Sequence, residues 1–123
     1  MMIITNNPLA KQQLSDIIDV ELLDCSYIEL LTEIRDRVHK GVKILTHPLS
    51  GSVKPNETPF KSVIITKQQK DKIDMDSLIL IENSIITAKK FAPKYINMTD
   101  RIKDDFAVVD ATLIRNAVNS AIQ

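Results

Sequence analysis

The sequence contains no tryptophan, one cysteine and two glycines among its 123 residues. A single cysteine excludes an internal disulfide, which fits a reducing compartment such as the cytoplasm. Sixteen basic residues balance sixteen acidic ones, so the formal net charge is zero. A balanced charge argues against nucleic acid or an anionic membrane as the partner. No apolar run approaches the roughly 18 residues of a membrane span, and no secretory signal opens the chain. These absences predict a cytoplasmic protein without nucleic-acid or membrane partners.

Isoleucine is abundant, with 18 residues, whereas the chain has only three phenylalanines and two tyrosines. Such a core is aliphatic and β-branched, which favours strands that are buried on both faces. The length suits one domain and is short for two. We therefore predict a single layered α/β domain over residues 1–123, with a small, mostly parallel sheet of about four strands flanked by helices. The predicted strands are the short apolar segments 2–5, 17–23, 42–46 and 62–66.

The clearest predicted helix covers residues 26–40. Ser26 and Glu29 have the spacing of a capping box, and Gly41 suits the left-handed position just after the helix. The apolar residues of this segment recur at helical spacing and should form its buried face. They are Tyr27, Leu30, Leu31, Ile34 and Val38.

Three further helical segments are weaker. One or two turns are expected at 9–14 after Pro8, and a longer helix should run from a cap at Asp76 or Ser77 to about Phe91. A strand at 78–81 stays an open alternative, because that segment is apolar on every side. After an irregular stretch at 94–104, a last helix is predicted at 105–121. Its expected buried residues are Phe106, Val109, Leu113, Ala117 and Ala121.

A polar stretch at 47–61 holds three of the five prolines and is long for a loop in a compact domain. If the first three strands are parallel, this loop, the Asn6-Asn7 pair and the Cys25-Ser26 pair all emerge at one sheet edge, where ligands bind in α/β proteins. Lysines, hydroxyls and an approachable backbone suit a phosphate or carboxylate. The candidate ligand-binding residues are Asn6, Asn7, His47, Ser50, Gly51, Ser52, Lys54, Thr58 and Lys61.

Catalytic chemistry has little support in the sequence. His47 with Ser50 or Ser52 would make a nucleophile–base pair, but no acidic residue lies nearby in sequence to orient the imidazole. Cys25 precedes a helix N-terminus, where a thiol is activated, yet a lone cysteine at a strand end is more often a buried apolar residue. No metal or cofactor is predicted, and whether the protein is an enzyme stays open.

Three strings of residues resemble the GrdX family. They are Thr5-Asn6-Asn7-Pro8-Leu9, the 35–41 segment with Arg35-Asp36, Val38-His39 and Gly41, and the loop from Thr46 to Ser62. Family members are small proteins encoded beside the glycine, sarcosine and betaine reductase components of amino-acid-fermenting anaerobes. The resemblance covers the first 66 residues well, and Phe60 stands where many members have Tyr. It implies an association with that reductase system and carries over no catalytic residue.

Three hypotheses follow. The leading one is an accessory protein of the reductase system that binds phosphate, acetyl phosphate or an amino-acid carboxylate at the polar loop. The second is an adaptor or assembly factor for a reductase component, with Leu49, Val53 and Phe60 as apolar anchors. The third is an enzyme that uses His47 and a loop hydroxyl. A homo-oligomer is compatible with all three.

Overall fold

A computed structural model describes residues 1–50, 54–91, 93 and 97–121. It contains seven elements in the described ranges: β1 (Met2–Thr5), α1 (Pro8–Leu14), β2 (Asp19–Leu22), α2 (Tyr27–His39), β3 (Ser62–Ile65), α3 (Met75–Lys89) and α4 (Asp100–Ala121). None of these helices is long and apolar enough to cross a membrane. The four helices and three strands of the described ranges confirm the predicted α/β class.

The sheet differs from the prediction of about four mostly parallel strands. In the described residues it has three strands in the order β2-β1-β3. β1 pairs with β2 in parallel, with Thr5 opposite Leu22, and with β3 antiparallel, with Thr5 opposite Ser62. The sheet is thus mixed, and β3 begins at the edge where β1 ends.

The predicted strand at 42–46 is wrong as a sheet member. This segment makes one antiparallel bridge to β3, between Ile44 and Ile65, and does not continue into a ladder. Around this bridge, the Leu45 amide donates to the Ile64 carbonyl at 2.8 Å and the Thr66 amide donates to the Lys43 carbonyl at 2.9 Å. The next bond is made by a side chain, because the Thr46 hydroxyl rather than its carbonyl accepts from the Ile64 amide. A side-chain bond therefore ends the backbone pairing after a single bridge.

Helices cover both faces of the sheet, because the side chains of a strand alternate in direction. Ile4, Val63 and Ile65 point to the face covered by α2 and α3, and their cluster contains the buried residues of α2. Ile3 and Ile64 point to the opposite face, covered by α1 and α4. The result is an α/β/α arrangement with an apolar cluster on each side of a three-stranded sheet.

The prediction for α2 is confirmed. The Ser26 hydroxyl and the Glu29 carboxylate form both hydrogen bonds of the capping box, and the whole expected apolar stripe is buried. Gly41 has a φ of 94°, and a Cβ there would collide with the backbone of Lys70. Sequence signals and tertiary packing agree along this helix.

The last two helices bring corrections. The cap of α3 is Asp74, two residues before Asp76 and three before Ser77, and its carboxylate accepts the capping hydrogen bond from the Ser77 amide. Residues 78–81 are helical, so the alternative strand there is wrong. α4 begins at Asp100, inside the stretch expected to be irregular.

The buried stripe of α4 also differs from the prediction. Its most buried residues are Ala107, Asp110, Ala111, Ile114 and Val118. α4 packs on the short helix α1, whose own buried residues are Ala10 and Leu14. Small side chains permit this close approach, so the larger Val109 and Leu113 are left exposed.

Candidate functional site

The segments after β1 and β2 meet the end of the long loop at one edge of the sheet. The Asn6 side-chain amide donates to the carbonyls of Cys25 at 3.1 Å and Pro59 at 2.9 Å. Its carbonyl oxygen accepts from the Lys61 amide at 2.8 Å. Asn6 therefore uses both of its amide hydrogens to hold two connecting segments against the end of β1.

Asn7 joins the same edge to α4. Its side-chain oxygen caps α1 by accepting from the Leu9 amide at 3.1 Å. Its amide nitrogen donates to the Ala107 carbonyl at 2.9 Å and to Asp110 Oδ2 at 3.0 Å. Asn7 is fully buried, so these bonds satisfy it without water.

Asp110 is the centre of a buried polar network. Its Oδ2 accepts from the Ser62 hydroxyl at 2.7 Å as well as from Asn7. Ser62 in turn shares a hydrogen bond of 2.6 Å with the Thr5 hydroxyl. Only 8% of Asp110 is exposed, and the network joins β1, β3 and α4. Two donors on one oxygen stabilise this carboxylate inside the protein.

Lys61 is a buried lysine at the end of the loop. Only 7% of it is exposed, and its Nζ donates to the Ser50 carbonyl at 2.8 Å. Burial lowers the pKa of the Lys61 ammonium, and the negative charge of Asp110 opposes part of that shift. Among the described residues, no ion pair includes Lys61. A buried ammonium without a direct counter-ion is rare, because a buried charge is normally paired.

A small cavity lies beside Lys61, between the loop and α4. Its volume is about 20 Å³, enough for about one water molecule. Its polar wall contains Ser50, Thr58, Lys61 and Asp110. Its apolar wall contains Tyr27, Phe60, Phe106, Val109 and Leu113.

A wider cleft of about 570 Å³ opens at the carboxyl ends of β1 and β2. Asn6, Asn7 and Cys25 line it, together with Lys103 and Asp104 from the start of α4. The asparagine amides are engaged in internal hydrogen bonds, and the exposed charged residues among the described lining are one lysine, Lys103, and two aspartates, Asp24 and Asp104. This cleft has the position expected of a ligand site in an α/β protein, but it offers an anion little net charge.

The remaining candidate residues are spread over the surface. His47 is exposed, and its Nδ1 accepts from the Leu49 amide at 3.0 Å. Lys54 is exposed, whereas Thr58 is buried and its hydroxyl oxygen accepts from the Phe60 amide at 3.1 Å. Gly51 and Ser52 lie outside the described residues, as does Val53. The structure thus places Ser50, Thr58 and Lys61 around one cavity, and Asn6 and Asn7 behind them.

The catalytic alternatives gain no support from this geometry. In the ranges that the structure describes, no carboxylate hydrogen-bonds to His47, and no three His, Cys, Asp or Glu side chains are grouped to hold a metal ion. Burial and the nearby charges of Glu29 and Asp24 raise the pKa of the Cys25 thiol. A raised pKa disfavours the thiolate, which is the opposite of activation at a helix N-terminus.

Asp110 and the aromatic wall of the cavity were missed by the sequence analysis. A signal for Asp110 existed, since it stands among Ala107, Ala111 and Ile114 at helical spacing and is the one charged residue of that set. A charge inside an apolar helical stripe is normally paired or functional. The larger neighbours Phe106, Val109 and Leu113 form a second apolar stripe on α4. The sequence analysis predicted this second stripe to be the buried one, which is wrong.

The comparison with protein-family models matches residues 2–119 to the model described as GrdX-like protein. Neither the curated proteins nor the solved structures gave a match. The matched region includes the three strings that resemble the GrdX family and extends through α3 and most of α4. The chain therefore belongs to the GrdX-like family.

Proposed function

We propose that this protein is a cytoplasmic accessory protein of the glycine, sarcosine and betaine reductase system that binds a small anion beside Lys61. The family suggests the association with the reductase. The observation that carries the binding proposal is the Lys61 ammonium, which is buried at a cavity and lacks an ion-pair partner among the described residues. An anion at this position would supply the missing counter-charge.

Each neighbour of the cavity has a defined role in this proposal. Lys61 has three ammonium hydrogens, of which one is donated to the Ser50 carbonyl and two have no partner among the described residues, so they can bind a ligand oxygen. The Thr58 hydroxyl accepts from the Phe60 amide at 3.1 Å and donates to the Phe60 carbonyl at 3.5 Å, a long bond that a ligand oxygen would replace. Asn6 and Asn7 act as positioning residues, because their amides hold the loop and α4 in place. Lys54, which is exposed, contributes less because water screens its charge.

The adaptor hypothesis has weaker support. Leu49, one of its expected anchors, packs against the apolar cluster under α2, and Phe60 is half-buried between the two cavities. An anchor that is already packed inside the protein contributes little to a partner interface. The adaptor hypothesis still makes a distinct prediction, which is that Phe60→Ala abolishes capture of a reductase component while anions have no effect.

Calorimetry against phosphate, acetyl phosphate and glycine tests the proposal. Lys61→Met should lower the affinity for the anion that binds by about tenfold to a hundredfold, the scale of one charged hydrogen bond. Lys43→Met is the matched control, because Lys43 is exposed and lines a different part of the surface. No heat with any of the three compounds, together with an unchanged melting temperature, would refute binding of these three compounds and favour the adaptor.

A further inference from the structure

Two large apolar residues of α4 remain partly exposed beside the cavity. Val109 is 38% exposed and Leu113 is 41% exposed, and both line the cavity that contains Lys61. Phe106, one turn before Val109, lines the same cavity and is half-buried. One cavity is therefore lined both by a buried lysine and by apolar side chains that reach the surface.

The volume of the cavity limits the group that can enter it. About 20 Å³ accommodates one oxygen atom and its immediate neighbours. A carboxylate can insert a single oxygen toward Lys61, whereas a phosphate must desolvate more oxygens around the same ammonium.

The charges of the cavity wall also favour a carboxylate over a phosphate. Among the described residues of the cavity wall, Lys61 is the one cation, and Asp110 lies in the same wall with its charge directed to Asn7 and Ser62. This balance suits a ligand with a single negative charge better than a doubly charged one.

We propose that the ligand is a monocarboxylate with a short apolar tail, whose carboxylate meets Lys61 and Thr58 and whose tail lies on Phe106, Val109 and Leu113. This inference rests on the proposed anion site and adds the chemical class of its ligand. It gives one explanation for two otherwise unrelated features, an ammonium without a close counter-ion and an apolar helix face at the surface. Burial of the tail against this face supplies binding energy that an inorganic anion cannot obtain.

A chain-length series on the unmodified protein tests the ligand class. Calorimetry would compare acetate, butanoate and hexanoate with inorganic phosphate, and with hexanamide as the uncharged analogue. We expect hexanoate to bind at least tenfold more tightly than acetate, since each added methylene that is buried strengthens binding. We expect hexanamide to bind at least tenfold more weakly than hexanoate, because it lacks the charge that Lys61 recognises.

Two variants locate the tail. Leu113→Asn should reduce the affinity ratio of hexanoate to acetate by about fivefold. Val108→Asn is the matched control, because Val108 is an exposed apolar residue of the same helix, 52% exposed, that does not line the cavity. The control should leave the ratio unchanged. Both positions are exposed, so both variants should fold, which circular dichroism would verify.

The outcomes separate the ligand class from the anion site itself. Equal affinity for acetate and hexanoate, or tighter binding of phosphate than of hexanoate, would overturn the monocarboxylate and leave the anion site standing. Equal effects of Leu113→Asn and Val108→Asn would overturn the position of the tail on α4. Equal binding of hexanamide and hexanoate would overturn the role of charge. An absence of binding by every acid and by phosphate would overturn both the ligand class and the proposed function.

Discussion

The buried carboxylate of Asp110 provides a sharp test of how the site is assembled. Asp110→Ala removes the acceptor of two hydrogen bonds, from Ser62 at 2.7 Å and from Asn7 at 3.0 Å. Each hydrogen bond to a charged group is worth about 1.5–3 kcal/mol, which gives a gross loss of about 3–6 kcal/mol.

Two features of the network reduce that loss. Ser62 keeps its bond to Thr5, and Asn7 keeps its bond to the Ala107 carbonyl, so neither donor is left without a partner. Removal of the carboxylate also removes the cost of burying its charge. We therefore expect Asp110→Ala to lower the free energy of unfolding by about 2–4 kcal/mol. Asp110→Asn retains one acceptor of the same shape and should cost about half as much.

Urea unfolding at pH 7 would measure both changes, followed by far-ultraviolet circular dichroism because the chain has no tryptophan. Asp105→Ala is the matched control, since Asp105 is an exposed aspartate of the same helix and should change stability by less than about 0.5 kcal/mol. If Asp110→Ala cost no more than Asp105→Ala, the network would not hold α4 to the sheet, and the positioning role of Asn7 would be wrong.

Three further predictions concern other parts of the molecule. Ile34→Ala empties a fully buried position under the sheet and should cost about 2–5 kcal/mol in urea unfolding, whereas a cost near zero would place the core elsewhere. Arg37 donates to both carboxylate oxygens of Glu21, at 2.7 and 2.5 Å, and this bond lowers the pKa of Glu21 below its ordinary 4.5. The stabilisation by this ion pair is present above pH 4.5 and is lost as the pH falls through the lowered pKa of Glu21. Arg37→Met should therefore lower the free energy of unfolding by at most about 1 kcal/mol at pH 7 and by almost nothing in strong acid. Alkylation of Cys25 by iodoacetamide should be slower than that of an exposed peptide thiol at pH 8, and faster alkylation would revive an activated cysteine.

Local signals in the sequence predicted local structure well. The capping box at Ser26 and Glu29, the stripe that contains Ile34, and the glycine at position 41 all describe α2 as it is found. Each of these signals acts within one or two helical turns, so the residues that decide the structure are neighbours in the chain. The same holds for β1, where an apolar run ends at Asn6.

Pairing and packing over long distances could not be predicted in the same way. Nothing in the segment 62–65 indicates that it pairs antiparallel to β1. The bond of the Thr46 side chain to the Ile64 amide, which ends the pairing of residues 42–46 with β3, also joins distant parts of the chain. On α4, two apolar stripes compete. The choice between them depends on how closely α1 approaches, a property of two helices rather than of one. Asp110 was missed for this reason.

The most direct test of the central claim is the pKa of Lys61 itself, measured by nuclear magnetic resonance on lysine-labelled protein. In the free protein, burial should hold this pKa below the ordinary 10.5. A bound anion stabilises the protonated form, so the pKa of Lys61 should rise when the tightest-binding anion of the calorimetric series is added, and binding should weaken as the pH rises through it. A Lys61 that titrates at the ordinary 10.5, with a pKa that none of the anions changes, would contradict the account.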